Sequence, residues 1–221
     1  MAPVIELHES VVLLGRFPAL TGISMSVSTG EAILIKGPNG AGKSTLLRLC
    51  AGLLPMKGGS GSILGFNLKT DRKAVRPHVG LMGHRNGLYP DLTVEENIQF
   101  WAKVSKAPSE QAARSLEILG LNGRLATVLV RNLSEGQRRR VSLAALVVQR
   151  PTLWLLDEPH AALDKQGKEL VDSLVSDAVT AGATVLLASH EIDSIGHIEP
   201  RVIEIAGGLV VRDTGGETSA S

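Results

Sequence analysis

Gly37-Pro38-Asn39-Gly40-Ala41-Gly42-Lys43-Ser44 has the spacing G-x-x-x-x-G-K-[ST]. The run before it, 32–35, is short, apolar and bounded by glycines, as a strand buried on both faces is. The run after it, 44–50, has helical spacing and ends at the stop signals Gly52 and Pro55. A strand, a glycine-rich loop and a helix in that order form a phosphate cradle. The glycines let consecutive backbone N–H groups turn toward phosphate oxygens, and the helix N-terminus adds favourable partial charge. Lys43 would neutralise the β- and γ-phosphates of a bound nucleotide, and the Ser44 hydroxyl would ligate Mg²⁺. The competing reading is a glycine-rich turn followed by an unrelated lysine.

Two more segments complement this loop. In Leu153-Trp154-Leu155-Leu156-Asp157-Glu158-Pro159 an apolar strand ends in adjacent carboxylates. Asp157 sits where an acid would hold Mg²⁺, and Glu158 can address an attacking water as general base. Two acids at a strand end are often only a solvated turn; the phosphate loop upstream favours chemistry. Leu133-Ser134-Glu135-Gly136-Gln137 is a helix start, with Ser134 fitting the N-cap and Gln137 its N3 partner. Such a terminus attracts anions, and Gly136 would let a phosphate approach the backbone; taken alone, the segment is an ordinary capping box.

The rest of the chain supplies the frame. Strands are expected at 4–14 and 21–27, a turn at 57–61, and a short strand at 62–68. Thr93 with Glu96 fits a capping box opening a helix to about 104; helices at 109–119 and 134–149 follow, so 84–150 reads as helical. Beyond Pro151, strands at 152–156 and 184–188 bracket a helix at 167–180, with an edge strand at 202–205 and a polar, disordered tail over 212–221. Alternation of strands and helices implies an α/β fold with a mainly parallel sheet.

Composition narrows the functional classes. Lys plus Arg is 23 and Asp plus Glu is 22, a net charge of +1 that argues against a nucleic-acid protein working through a broad basic surface. A hydrophobic content of 43% excludes a wholly disordered chain. The single cysteine, Cys50, excludes an internal disulfide or a cysteine metal cluster and fits a reducing compartment. The first nine residues contain two acids and no apolar run, unlike a secretory signal. No run of 18 apolar residues is present, so a membrane role is expected to pass through a partner.

Together these motifs resemble the nucleotide-binding subunits of ABC transporters. Residues 133–137 are close to that family's LSGGQ signature, with Glu135 in place of a glycine. Ala162-Leu163-Asp164 is similar to its D-loop, and His190 after a strand to its switch histidine. The resemblance runs from about residue 4 to 208 and keeps five motifs in the family's order. It implies a P-loop NTPase core of RecA type (1–83 and 151–211), N-terminal antiparallel strands and a helical subdomain carrying the signature (84–150).

It further implies an ATPase that uses ATP and Mg²⁺, with the nucleotide contacted by Gly37 through Ser44 and Thr45. The signature residues Leu133, Ser134, Glu135, Gly136 and Gln137 would face the ATP of a second subunit in a head-to-tail dimer. In this carry-over His190 contacts the γ-phosphate and Asp164 supports the contact across the dimer. Membrane permease subunits would be the partners, at the cytoplasmic face. His84 stands where the family has a glutamine that senses Mg²⁺ and the membrane partner; an imidazole differs in reach and titrates near neutrality. Phe17 is the only aromatic before Phe66, hence the only candidate to stack on adenine, with a core position as the alternative. Arg138-Arg139-Arg140 opposes the helix macrodipole, and a solvated face is its default reading, against contact with nucleotide or neighbouring carboxylates.

Finer similarity points to exporters. Residues 89–97 resemble exporter-type subunits. Gly83-His84, Asp164-Lys165-Gln166-Gly167, Arg139-Arg140-Val141 and the segment 153–158 are similar to the ATP-binding subunits of haem exporters of cytochrome c maturation. The alternatives are a drug, lipid or polysaccharide exporter of related type, a soluble ABC ATPase, and a nucleotide-binding module without turnover. A soluble ABC ATPase would need a coiled-coil insertion or a second cassette, for which 221 residues leave no room. Intact Lys43, Asp157, Glu158 and His190 speak against a module without turnover.

Overall fold

The structure, a computed structural model, describes residues 3–83, 87–189 and 195–215. Two sheets form its frame. Strands β1 (Ile5–Leu14), β2 (Phe17–Val27), β4 (Gly58–Ile63) and β5 (Phe66–Asn67) make an antiparallel sheet in the order β2-β1-β4-β5. The larger sheet has the order β10-β9-β3-β8-β7-β6 and joins β3 (Ala32–Lys36), β6 (Val79–Met82), β7 (Leu153–Asp157), β8 (Thr184–Ala188), β9 (Arg201–Ala206) and β10 (Leu209–Asp213). Every pairing in it is parallel except that of β9 with β10. Among the described residues there are five α-helices: α1 (Lys43–Cys50), α2 (Val94–Val104), α3 (Ser109–Ile118), α4 (Glu135–Gln149) and α5 (Lys165–Thr180).

The uniformly apolar strands are explained by burial on both faces. Ile33, Ile35, Leu153, Leu155, Leu186 and Ala188 point into a core shared with α1 and the antiparallel sheet. Their neighbours Leu34, Trp154, Leu156, Val185 and Leu187 point into a second core under α2, α3, α4 and α5. Cys50 is fully buried in the first core, and burial pushes its thiol up to about 12, so it stays a protonated packing group.

Four expectations need correction. The glycine-rich 57–61 segment is largely strand β4, because Gly61 and Ser60 pair with Leu7 and His8 of β1, and the Leu7 side chain fills the space a Cβ on Gly61 would need. Strand β6 was not expected: it has four residues, one of them Gly80, which lets Leu146 of α4 pack onto its backbone. Strand β9 is internal, since β10 folds back along it through Gly207 and Gly208. Arg212 and Asp213 therefore belong to the edge strand and not to the tail. Asp213 accepts from Arg201 through both oxygens at 2.7 Å, which holds its carboxyl below the usual range, and Arg201 also reaches Glu31 at 3.1 Å.

The register brings three strand ends to one level. Asp157 pairs with Ala188, and Ala188 with Ile35, two residues before Gly37. The Ser189 N–H donates to the Ile35 carbonyl at 3.2 Å. The loop after β3, the acids ending β7 and the residue after β8 thus share the carboxyl edge of a parallel sheet, where open α/β folds bind ligands.

Candidate active site

The 37–42 loop is shaped by what packs beneath it. Gly37 has φ 146°, and a Cβ there would sit on the Ile205 carbonyl oxygen. Gly42 has φ 108°, and a Cβ there would come within 2.7 Å of the Ala19 carbonyl oxygen. Both glycines are dictated by close backbone approach as well as by conformation. The β9–β10 turn locks the loop from behind: Gly208 N–H donates to Ala41 O at 3.1 Å, and Thr21 N–H to Gly208 O at 3.1 Å. Pro38, Asn39 and Gly40 are exposed at the tip.

Helix α1 begins at Lys43 with no side-chain cap and no acid in its first turn. Its leading N–H groups and positive end are therefore available to an anion. Lys43 is only 7% exposed, and its Nζ donates to the Gly37 and Pro38 carbonyls at 2.6 and 3.2 Å. The cation is held folded back along the loop it would share with phosphate. Ser44 is half-buried and Thr45 buried on the same first turn.

Glu158 is fixed at several points. Its backbone sits at φ 49°, a strained conformation for a non-glycine residue. Its N–H donates to Ala188 O at 2.8 Å, and its Oε2 accepts from Ser189 Oγ at 3.2 Å. Its carbonyl accepts from Arg139 Nη1 at 2.7 Å. Asp157, the last residue of β7, is half-buried beside it.

Arg139 overturns the solvated-face reading. It is 4% exposed, its Nε has no partner among the described residues, and burial lowers its pKa against the opposing pull of Glu135, Asp157 and Glu158. Arg138 lies 3.5 Å from Glu135, and Arg140 3.3 Å from Asp164. The three arginines thus serve three carboxylate neighbourhoods. Arg139→Met should lower stability by about 1.5–3 kcal/mol, the range for a hydrogen bond from a charged donor. At 2–4 °C per kcal/mol that is a fall in Tm on the order of 5 °C. An unchanged melting curve would show that the Glu158 backbone does not need this cation.

The 133–137 segment forms the expected helix start. Ser134 caps α4: its Oγ accepts from Gln137 N–H at 3.2 Å, and Gln137 Oε1 accepts from Ser134 N–H at 2.9 Å. Leu133 is buried, while Ser134 and Glu135 are exposed. Gly136 has a contact that sequence reasoning missed: a Cβ there would lie 2.8 Å from the Ala162 carbonyl oxygen. Asp164 caps α5 by accepting from Gly167 N–H at 2.8 Å. Among the described residues no hydrogen bond or ion pair joins 133–137 to 37–45.

Phe17 is not a core residue. It starts β2 opposite Leu14 and is 80% exposed, with Ala19 and Leu20 of the same strand packed against Gly42. His84 and His190 lie outside the described residues. Ser189 is a site residue that sequence analysis did not single out, though aligning the ends of β7 and β8 would have found it; of the three arginines 138–140, nothing local marks Arg139 as the buried one.

Comparison with known proteins agrees with this geometry. The sequence profile of the ABC transporter family matches residues 20–161. The cytochrome c biogenesis ATP-binding export protein CcmA of Cupriavidus pinatubonensis is 36% identical over 194 residues, 87% of this chain and 85% of that protein. CcmA of Rhodospirillum rubrum is 34% identical over 223 residues, 97% and 95% of the two chains. A dimeric ATP-binding cassette in a post-hydrolysis state bound to ADP and Pi superposes with a TM-score of 0.85 at 25% identity, covering 95% of this chain and 97% of that one. A dimeric bacterial ABC transporter cassette gives 0.84 at 26% identity with the same coverage. The chain belongs to the ABC transporter family, as an ATP-binding subunit with ATPase activity.

Proposed function

We propose that this chain is the ATP-hydrolysing subunit of an exporter serving cytochrome c biogenesis, with haem as the cargo. The observation that carries this reading is its similarity to CcmA proteins along nearly the whole of both chains. The chemistry is ATP and water going to ADP and phosphate. The 37–42 amides and Lys43 bind the phosphates. Among the described residues no cluster of three or more His, Cys, Asp or Glu side chains could hold a metal by itself. Ser44 and Asp157 offer one hydroxyl and one carboxylate, a donor set that suits Mg²⁺ when phosphates and waters complete its shell. Mg²⁺ there would neutralise charge on the phosphates. Glu158 orients and deprotonates the attacking water, and His190 contacts the γ-phosphate. Phe17 offers an exposed ring to adenine.

The exposed N-terminus of α4 is where a second copy's ATP would be met, so two chains close head to tail around two nucleotides. The dimeric cassettes among the structural relatives support this pairing. Among the described residues no helix is long and apolar enough to cross a membrane. Permease subunits at the cytoplasmic face supply the membrane path. Tyr89 and Phe100, edge to face at 4.7 Å, and Trp101 bring together three of the chain's six aromatics in the segment that follows residue 84 in sequence, and this is the surface proposed to receive them.

The test is capture of tagged Glu158→Gln from detergent-solubilised membranes with ATP, read by mass spectrometry. A polytopic permease together with cytochrome c maturation proteins is expected. A different permease would redirect the cargo, and recovery only from the soluble fraction would overturn the transporter assignment.

A further inference from the structure

The turn that follows Glu158 is tied down by a side chain to which the reaction gives no part. His160 is 3% exposed, and its Nε2 lies 2.9 Å from Asp172 Oδ1 on α5. Its Nδ1 is buried, with no hydrogen-bond partner among the described residues. A carboxylate oxygen accepts, so Nε2 is the donor in this bond. An apolar side chain of similar size would fill this place without leaving a buried polar atom unsatisfied. What the histidine contributes is its bond to Asp172.

That bond holds a turn that needs holding. Glu158 and Ala162 both occupy the left-handed region, at φ 49° and 60°, and such residues persist only where the surroundings fix them. Inside the turn, Ala161 N–H donates to Glu158 O at 3.1 Å and Leu163 N–H to His160 O at 3.2 Å. At its end Asp164 caps α5. His160 sits midway and reaches two turns further along the same helix. One turn beyond Asp172, Ser176 Oγ lies 2.9 Å from His197 Nε2. One face of α5 therefore anchors the segments that follow both β7 and β8.

We propose that His160 is a positioning residue for Glu158: the Nε2–Asp172 bond fixes the 158–164 turn on α5 and so fixes the carboxylate at the sheet edge. The catalytic part of this inference rests on Glu158 acting as the base; the structural part does not. His160→Leu keeps the shape and removes the bond, His160→Gln keeps a donor near the place of Nε2, and Asp172→Ala removes the acceptor. Asp172 is 26% exposed, so that last change opens no core cavity and serves if His160→Leu folds poorly.

The first readout is amide hydrogen exchange without nucleotide. Exchange at Ala161 and Leu163 should speed up by about tenfold in His160→Leu and Asp172→Ala and stay near wild type in His160→Gln. The second is steady-state ATP turnover. The kcat of His160→Leu and Asp172→Ala should fall about tenfold with KM within about twofold, and the double variant should be no worse than either single one. His160→Gln should recover most of the rate. Unchanged exchange in the 160–164 amides, or losses in kcat that add in the double variant, would overturn the proposal. Were Glu158 itself misassigned, Glu158→Gln would turn over ATP like wild type, while the exchange arm would still decide whether His160 holds the turn.

Discussion

Glu158→Gln should bind ATP like the wild type and hydrolyse it at least about 10²-fold more slowly, the lower bound for removing a general base. The expectation is sharp because the substitution changes so little else. Glutamine keeps the length and shape of the side chain and an oxygen to accept from Ser189 Oγ. The backbone bonds to Ala188 and from Arg139 do not depend on the side chain. Glutamine also tolerates the φ of 49° as well as glutamate does. The stability should therefore change by no more than the range of neutral surface changes, about 0.5 kcal/mol, or about 1–2 °C in Tm. What disappears is the group able to take the proton from water. With hydrolysis blocked and ATP still held at the 37–45 segment, the closed pair should accumulate and run as a dimer on a sizing column with ATP. Turnover near the wild-type rate would move the base elsewhere; a monomer at saturating ATP would contradict the head-to-tail pairing.

The parts of this site that were legible in the sequence are those whose determinants are contiguous. The 37–44 loop carries its own glycines, its lysine and its flanking strand and helix, and each element forms where its residues dictate. The Thr93–Glu96 and Ser134–Gln137 capping boxes are similar: both partners lie within one turn, and both close as expected. Apolar runs such as 153–156 read as buried strands because neither face could be left wet.

What stayed hidden depends on packing between distant segments. Arg139 looked like one of three solvated cations because nothing next to it shows that β7 ends against that side of α4. Gly136 looked like an opening for phosphate, while the atom that forbids a side chain there is the Ala162 carbonyl of its own chain. Strand β6 is too short for periodicity to reveal, and β10 is disguised by the polar residues that follow it. His160 gave no local sign, since its partner Asp172 sits on a helix whose orientation is set by the core beneath the sheet.

Lys43→Ala should raise the Kd for ATP by about 100-fold, or roughly 2.7 kcal/mol at 1.4 kcal/mol per tenfold. That is within the range of one or two hydrogen bonds from a charged donor in a partly desolvated site. Lys43 is 7% exposed and its Nζ is already within hydrogen-bond distance of the loop, so little side-chain entropy remains to be lost when phosphate arrives. The Nζ need only exchange its bonds to the Gly37 and Pro38 carbonyls for phosphate oxygens. Lys43→Arg should not restore binding, because the buried position fits a compact ammonium and not a planar fork.

A thermal-shift titration separates binding from folding. At an ATP concentration of about 100 times the wild-type Kd, linkage stabilises the wild type by about 2.7 kcal/mol. The variant at the same concentration sits near its own Kd and gains only about 0.4 kcal/mol. At 2–4 °C per kcal/mol, the ATP-induced rise in Tm should drop from roughly 5–11 °C to about 1 °C. The nucleotide-free Tm should change less, because Gly37 is only half-buried and Pro38 exposed, so water can replace the lost donor at both carbonyls. An equal ATP-induced shift in both proteins would mean that phosphate does not bind at Lys43, and the cradle at 37–44 would then be a structural turn.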